Sequence, residues 1–105
     1  MIYHLTEPER WARSQAEGVH TGSSRGVELA DEGFIHCSTA EQWPATRARF
    51  YADVDPVLLL HIDESKVESE IVYEQLGDAP EPFPHIYGPV PLDAIVAVET
   101  LCSRT

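Results

Sequence analysis

The chain reads as an α+β fold: a single domain over residues 1–105, with two helices on a split, mostly antiparallel or mixed sheet. Three observations predict it. The length suits one hydrophobic core and is too short for two. Two Ser/Thr-x-x-Glu spacings, Thr6 to Glu9 and Ser38 to Glu41, each follow a short apolar run, the mark of a strand that leads into a helix. Beyond residue 56 the apolar runs VLLLHI, IVYEQ and IVAVETL alternate with polar and Pro-rich stretches, so three or four further strands complete the sheet.

Residues 2–5 form the first strand. Pro8 is tolerated in a first helical turn, so helix one spans residues 7–16, with Trp11 on a narrow apolar stripe and Gly18 as its stop. Residues 19–26, VHTGSSRG, read as a polar loop, and residues 27–31 as a helical turn or irregular segment. A strand at 34–37 follows Gly33. The second helix is predicted to start at Ser38 and reach Tyr51, carrying Trp43, Ala48 and Phe50. Residues 57–62 are apolar almost without interruption, which predicts a strand buried on both faces at the sheet's centre. Residues 63–69 are turn-like, 71–75 alternate as a strand, 77–84 hold three prolines and read as a loop, and 95–101 form the last strand.

Eighteen acidic residues against seven basic ones give a net charge of −11, which opposes encounter with polyanions and makes nucleic acid an unexpected partner. A small anionic ligand fits better, because a local pair such as Arg47 and Arg49 acts at short range. No run approaches the ~20 apolar residues of a membrane span. Met1 leads directly into a strand without a basic, then apolar, leader, and the expected compartment is cytoplasmic. Cys37 and Cys102, widely spaced, suit reduced, buried thiols.

Three of the five histidines sit in apolar segments that end in hydroxyl, Gly or Pro residues: IYHLT at 2–6, GFIHCST at 33–39 and FPHIYGP at 83–89. Alternation puts His4 beside Ile2, His36 beside Phe34, and His85 between Phe83 and Tyr87, so three imidazoles are expected to converge on one pocket. No HxH, HxxxH or HExxH spacing occurs, and no metal site is predicted. His20 is expected at the surface and His61 in the core with a hydrogen bond. Ser38 and Thr39 are explained as helix caps; alternatively, the junction at residues 37–40 aims free N–H groups at a phosphate or carboxylate. Cys37 points away from His36 and is no nucleophile. FPHIYGP, rigid between prolines, presents His85 and Tyr87 at a cleft rim or plugs the core. Among the carboxylates Glu74 stands out, on the face of Val72.

IYHLT, EGFIHCSTAEQ and FPHIYGPVPLDAIVAV resemble, in order and over nearly the whole chain, the signature blocks of the bacterial family catalogued as domain of unknown function 952. The resemblance implies a fold like that of the ADP-ribosyltransferase superfamily, whose members bind NAD in the cleft of a split sheet. His4 and Thr6 of YHLT are similar to the first-strand YHGT type, whose His bonds a ribose and positions the dinucleotide; Leu5 stands where Gly is usual. The second block implies an aromatic stacked on nicotinamide, with His36 near that position. The third block normally brings a Glu to the ribose, where this chain has His85 and Tyr87. That departure argues against standard transfer, since a carboxylate stabilises an oxocarbenium-like transition state and an imidazole does not. Three alternatives follow: Glu74 enters the cleft, His85 works as acid or base in another reaction, or the site binds without catalysis.

The leading expectation is a domain that binds NAD or an ADP-ribose nucleotide, with His4, His36, His85 and Glu74 in catalytic positions and Thr6, Ser38, Thr39 and Tyr87 on the ligand. NAD enters as a substrate, and no other cofactor is expected. A non-catalytic sensing or interaction module with a structural histidine network is the second reading. A metal-assisted hydrolase using His4, His36 and His85 is the third.

Overall fold

The computed structural model describes residues 1–77 and 79–102. Strand β6 (Val57–Ile62) is the centre of a three-stranded antiparallel sheet, flanked by β1 (Ile2–Thr6) and β10 (Ile95–Leu101). Its position explains its composition. Leu60 and Ile62 face one core with Ile2, Ile35, Cys37, Ile86 and Val90; Val57 and Leu59 face another with Leu5, Tyr51 and Val54. A strand covered on both sides needs apolar residues at successive positions, and each fully buried Leu or Ile contributes roughly 1.5–3 kcal/mol.

The second three-stranded sheet, also antiparallel, has β8 (Phe83–Ile86) between β5 (Ile35–His36) and β7 (Ile71–Glu74). Its register opposes Ile35 to Ile86 and Ile86 to Ile71 on the core face, while His36, His85 and Val72 are aligned on the other. The two sheets touch through an antiparallel bridge between Tyr3 and Ser38. Two small ribbons complete the strands: β3 (Gly22–Ser24) with β4 (Val27–Glu28), and β2 (Val19–His20) with β9 (Val90–Pro91). The α+β architecture and the split antiparallel sheet are therefore present.

Three helices occur where two were expected. α1 (Pro8–Glu17) keeps the predicted place and ends on Gly18, whose φ of 82° lies in the left-handed region that glycine tolerates. No side chain caps its start, because Thr6 remains in β1 and the cap position is Glu7. α2 (Leu29–Glu32) is a single turn closed by a capping box between Glu28 and Asp31. α3 (Trp43–Phe50) starts five residues later than the Ser38 signal indicated. Ser38 is held by the bridge to Tyr3 instead, giving and receiving backbone hydrogen bonds of 2.7 and 2.8 Å. Tertiary pairing thus overrides the local capping pattern.

Other departures have the same origin. The expected loop at 19–26 contains β2 and β3, and the Pro-rich stretch at 77–84, whose Asp78 lies outside the described residues, runs into β8. Pro84 keeps half of its pairing there: its carbonyl accepts a hydrogen bond from Cys37 N–H at 3.0 Å, and the reciprocal bond is the one its missing N–H forgoes. Cys37 is buried, whereas Cys102 is exposed, contrary to expectation; both are free thiols. No helix among the described residues is long and apolar enough to cross a membrane.

Candidate functional site

A cleft of about 580 Å³ opens between the two sheets and α3. His4, His36, Ser38, Glu74 and His85 form its polar wall, and Leu5, Phe50, Tyr51 and Phe83 supply apolar surface. Thr6, Thr39 and Tyr87 are outside this lining. The cleft floor is held by Gln42, whose Nε2 donates to Pro82 O at 2.8 Å and to Glu81 Oε1 at 3.0 Å, tying the approach to α3 to the segment before β8.

Glu74 is the centre of the polar wall. Alternation along β7 and β8 sets Val72, Glu74, Phe83 and His85 on one face, so Glu74 reaches His85 Nδ1 at 2.8 Å. Tyr87 donates its hydroxyl to the same oxygen, Oε2. These two hydrogen bonds, Tyr87's first, hold the Glu74 carboxyl below its usual range and therefore ionised, while the same contact pushes the Tyr87 phenol up. Phe34 stacks on His85 with ring centres 4.3 Å apart and planes at 28°, and also touches His36 and Tyr87. His36 meets His85 edge-on at 5.1 Å and pairs with Glu32 at 3.2 Å. Burial holds His36 below the ordinary imidazole value, against the opposing pull of Glu32. His85 is a nearly buried part of the wall, not a feature of an exposed rim.

His4 is built differently. Its Nδ1 donates to the carbonyl of His36 at 2.6 Å, and burial pushes its pKa down to about 4, so the ring is neutral near pH 7. Behind it sits His20, which was expected at the surface and is instead fully buried, edge-on to His4 at 4.9 Å. Burial, reinforced by His4 and Arg10, pushes His20 down to about 2. Its Nδ1 bonds Ser14 Oγ at 2.7 Å, and Ser14 in turn receives Arg10 Nη1 at 3.0 Å. Arg10 also clamps both oxygens of Glu28 at 2.9 Å and reaches Thr21 Oγ1 at 2.7 Å, a forked arrangement that fixes α1 against the β3–β4 ribbon. Gly22 makes room for this network: a Cβ there would lie 3.1 Å from Arg10 Nε and 3.2 Å from His20 Nε2. Sequence reasoning missed His20, Ser14 and Arg10. The available signals were the i,i+4 pair Arg10–Ser14 on one helix face and the small Gly22 two positions after His20.

In the junction at 37–40 the N–H groups of Cys37, Ser38 and Thr39 are already bonded within the protein, the first to Pro84 O at 3.0 Å. Ser38 N–H bonds Tyr3 O at 2.7 Å and Thr39 N–H bonds Gln42 Oε1 at 3.0 Å. Cys37 lies in the core, and burial pushes its thiol up, away from the thiolate form. His61, expected in the core, is half-buried and bonds Glu99 at 2.8 Å. No group of three or more His, Cys, Asp or Glu among the described residues is arranged to hold a metal ion. Arg25 and Arg49 also line the cleft; Arg25 is paired with Asp53, whereas Arg49 has no carboxylate partner among the described residues and rests over Phe50.

No curated protein matches the chain. Among solved structures it is similar to protein CC0527 from Caulobacter crescentus. The crystal structure superposes with a TM-score of 0.80 at 24% identity, covering 94% of this chain and 83% of that one. The solution NMR structure gives 0.71 at 24% identity, covering 96% and 84%. At this identity the likeness is one of fold. The model of the family described as "Protein of unknown function (DUF952)" matches residues 5–98, a span that holds the end of β1, the polar wall of the cleft except His4, and most of β10, and the chain belongs to that family.

Proposed function

We propose that the cleft binds NAD or a related ADP-ribose nucleotide, with Glu74 placed to face positive charge developing on a ribose. The observation that carries this reading is the position of Glu74. It lines the cleft beside His4, His36 and His85, ionised and fixed by His85 and Tyr87. The resemblance to the ADP-ribosyltransferase superfamily calls for a carboxylate in this region, and Glu74 supplies it from β7 although the third sequence block has none. The volume falls within the ~300–1,000 Å³ typical of small-molecule sites, and the mixture of apolar surface with a few convergent polar groups suits a nucleotide. Arg49, also on the cleft lining, offers a cation for a phosphate. Titration of the domain with NAD, ADP-ribose and nicotinamide, followed by amide and imidazole NMR, tests the proposal. Saturable shifts at His4, His36 and His85 with NAD are expected; absence of shifts with all three ligands refutes it.

A second reading, a non-catalytic module with a structural histidine network, draws on the buried His4–His20–Ser14–Arg10 chain. It assigns these groups to rigidity, and it needs no ligand in the cleft.

A further inference from the structure

His4 and His85 each turn one ring nitrogen to a group that only accepts hydrogen bonds. His4 Nδ1 faces the carbonyl of His36 and His85 Nδ1 faces Glu74 Oε2, so both carry the ring proton there, and in the neutral ring Nε2 is left with a lone pair. Neither Nε2 has a hydrogen-bond partner among the described residues. Neither is sealed in, because the only buried side-chain nitrogen or oxygen without a partner there is His20 Nε2. Both side chains line the cleft and are only 3% exposed, so what stays accessible of each opens into it. The charge around them is mostly of one sign. Glu74 is ionised, and its Oε1 makes no hydrogen bond among the described residues; Glu41 and Glu81 line the same cleft. Of the two guanidinium groups there, Arg25 is neutralised by a two-point contact with Asp53, which leaves Arg49 against three carboxylates.

We propose that this wall binds an organic ammonium ion, a protonated primary amine with an apolar body. An ammonium head has N–H donors and no acceptor, and in kind it matches two imidazole lone pairs and a free carboxylate oxygen. Its charge is attracted by the excess of carboxylates in the cleft and by the net charge of −11 on the chain. Leu5, Phe50, Tyr51 and Phe83 give the apolar body a surface to be buried against. A carboxylate ligand would meet lone pairs and like charge at the same atoms. A neutral alcohol has one donor where the wall offers three acceptors. The inference stands apart from the nucleotide reading: there Glu74 meets a positive charge that develops during a reaction, here one that the ligand carries from the start.

The test titrates the full chain with phenethylammonium chloride, phenethyl alcohol and sodium hydrocinnamate, which share an apolar body and differ in the head group. Long-range imidazole NMR reports the two Nε2 atoms, and amide shifts report the rest of the cleft. Saturable binding of the ammonium is expected, with the Nε2 signals of His4 and His85 moving as their lone pairs accept hydrogen bonds. The alcohol should bind roughly 10- to 100-fold more weakly, the worth of a hydrogen bond to a charged group, and the carboxylate should not bind. Glu74→Gln keeps the shape, removes the charge and should weaken the ammonium by a similar factor. Equal affinity for alcohol and ammonium, saturable binding of the carboxylate, or ammonium shifts that never saturate and spread over the acidic surface each overturn the proposal. So does undiminished ammonium affinity in folded Glu74→Gln and Glu81→Gln variants. Should Glu74→Gln fail to fold, the comparison of the three head groups on the unsubstituted chain decides the matter. The nucleotide reading is decided by its own titration with NAD, whatever the ammonium does.

Discussion

His4, on the cleft wall, meets the fully buried His20 edge-on at 4.9 Å, while His36 and His85 meet edge-on at 5.1 Å along the same cleft. The ring geometry is nearly the same and the hydrogen-bond partners differ. The inner pair is bonded to a carbonyl and a serine, with the Arg10 guanidinium close by, so nothing compensates an imidazolium and burial keeps both rings neutral. Each ring of the outer pair has its own carboxylate, Glu32 for His36 and Glu74 for His85. The inner pair has no carboxylate hydrogen-bonded to either ring among the described residues, and the outer pair has one for each.

The largest effect expected from this contrast is acid sensitivity. His4 is depressed to about 4 in the folded state against an unfolded value near 6.5, so unfolding takes up a proton between those limits. The stability is fully present above pH 6.5 and is lost as pH falls towards 4, on the order of 3 kcal/mol from His4 alone. His20 adds to the loss in the same direction. Asp53, Asp63 and Glu74, also depressed, contribute only below their ordinary values of 3.8 to 4.5, so urea midpoints between pH 7.5 and 5 isolate the histidines. A flat profile over that range contradicts the neutral inner pair.

Next in size, His20→Ala leaves a cavity and strips Ser14 of a partner, at a cost of about 2 to 3 kcal/mol by equilibrium denaturation, and should flatten the acid profile. Unchanged stability would mean that the inner network contributes nothing to the fold. Gly22→Ala forces a methyl group against Arg10 and His20 and should cost about 1 to 2 kcal/mol; a stabilised protein would show that the network yields easily. The smallest change is expected for His36→Ala. Its ring is exposed and its pair with Glu32 is solvated, so the shift should stay within about 0.5 kcal/mol while NAD-induced NMR shifts are lost. A large destabilisation here would erase the distinction between the two pairs.

Much of this contrast was legible from alternation, and its decisive part was not. The apolar run at 57–62 announced a strand covered on both faces, and the period-two pattern put Glu74 with Val72 and His85 with Phe83. Alternation says which residues share a face within one strand; it does not say which strand lies alongside. The Glu74–His85 contact depends on the register between β7 and β8, across the segment that contains Pro80 and Pro82, which read as a loop.

The α+β class, the central strand, the three histidine-bearing segments and the family follow from the order of residues alone, because apolar period, turn residues and motif order are local properties of the chain. Only the tertiary structure decided that His20 is buried behind His4, that Ser38 bridges to Tyr3 and delays α3 to Trp43, and that Gln42 reaches Glu81 and Pro82 to shape the cleft. Those outcomes join residues 16 to 40 positions apart. Burial and partner choice there follow from how whole elements pack, and the Ser38 capping signal lost to a backbone pairing that satisfies its N–H and carbonyl groups together.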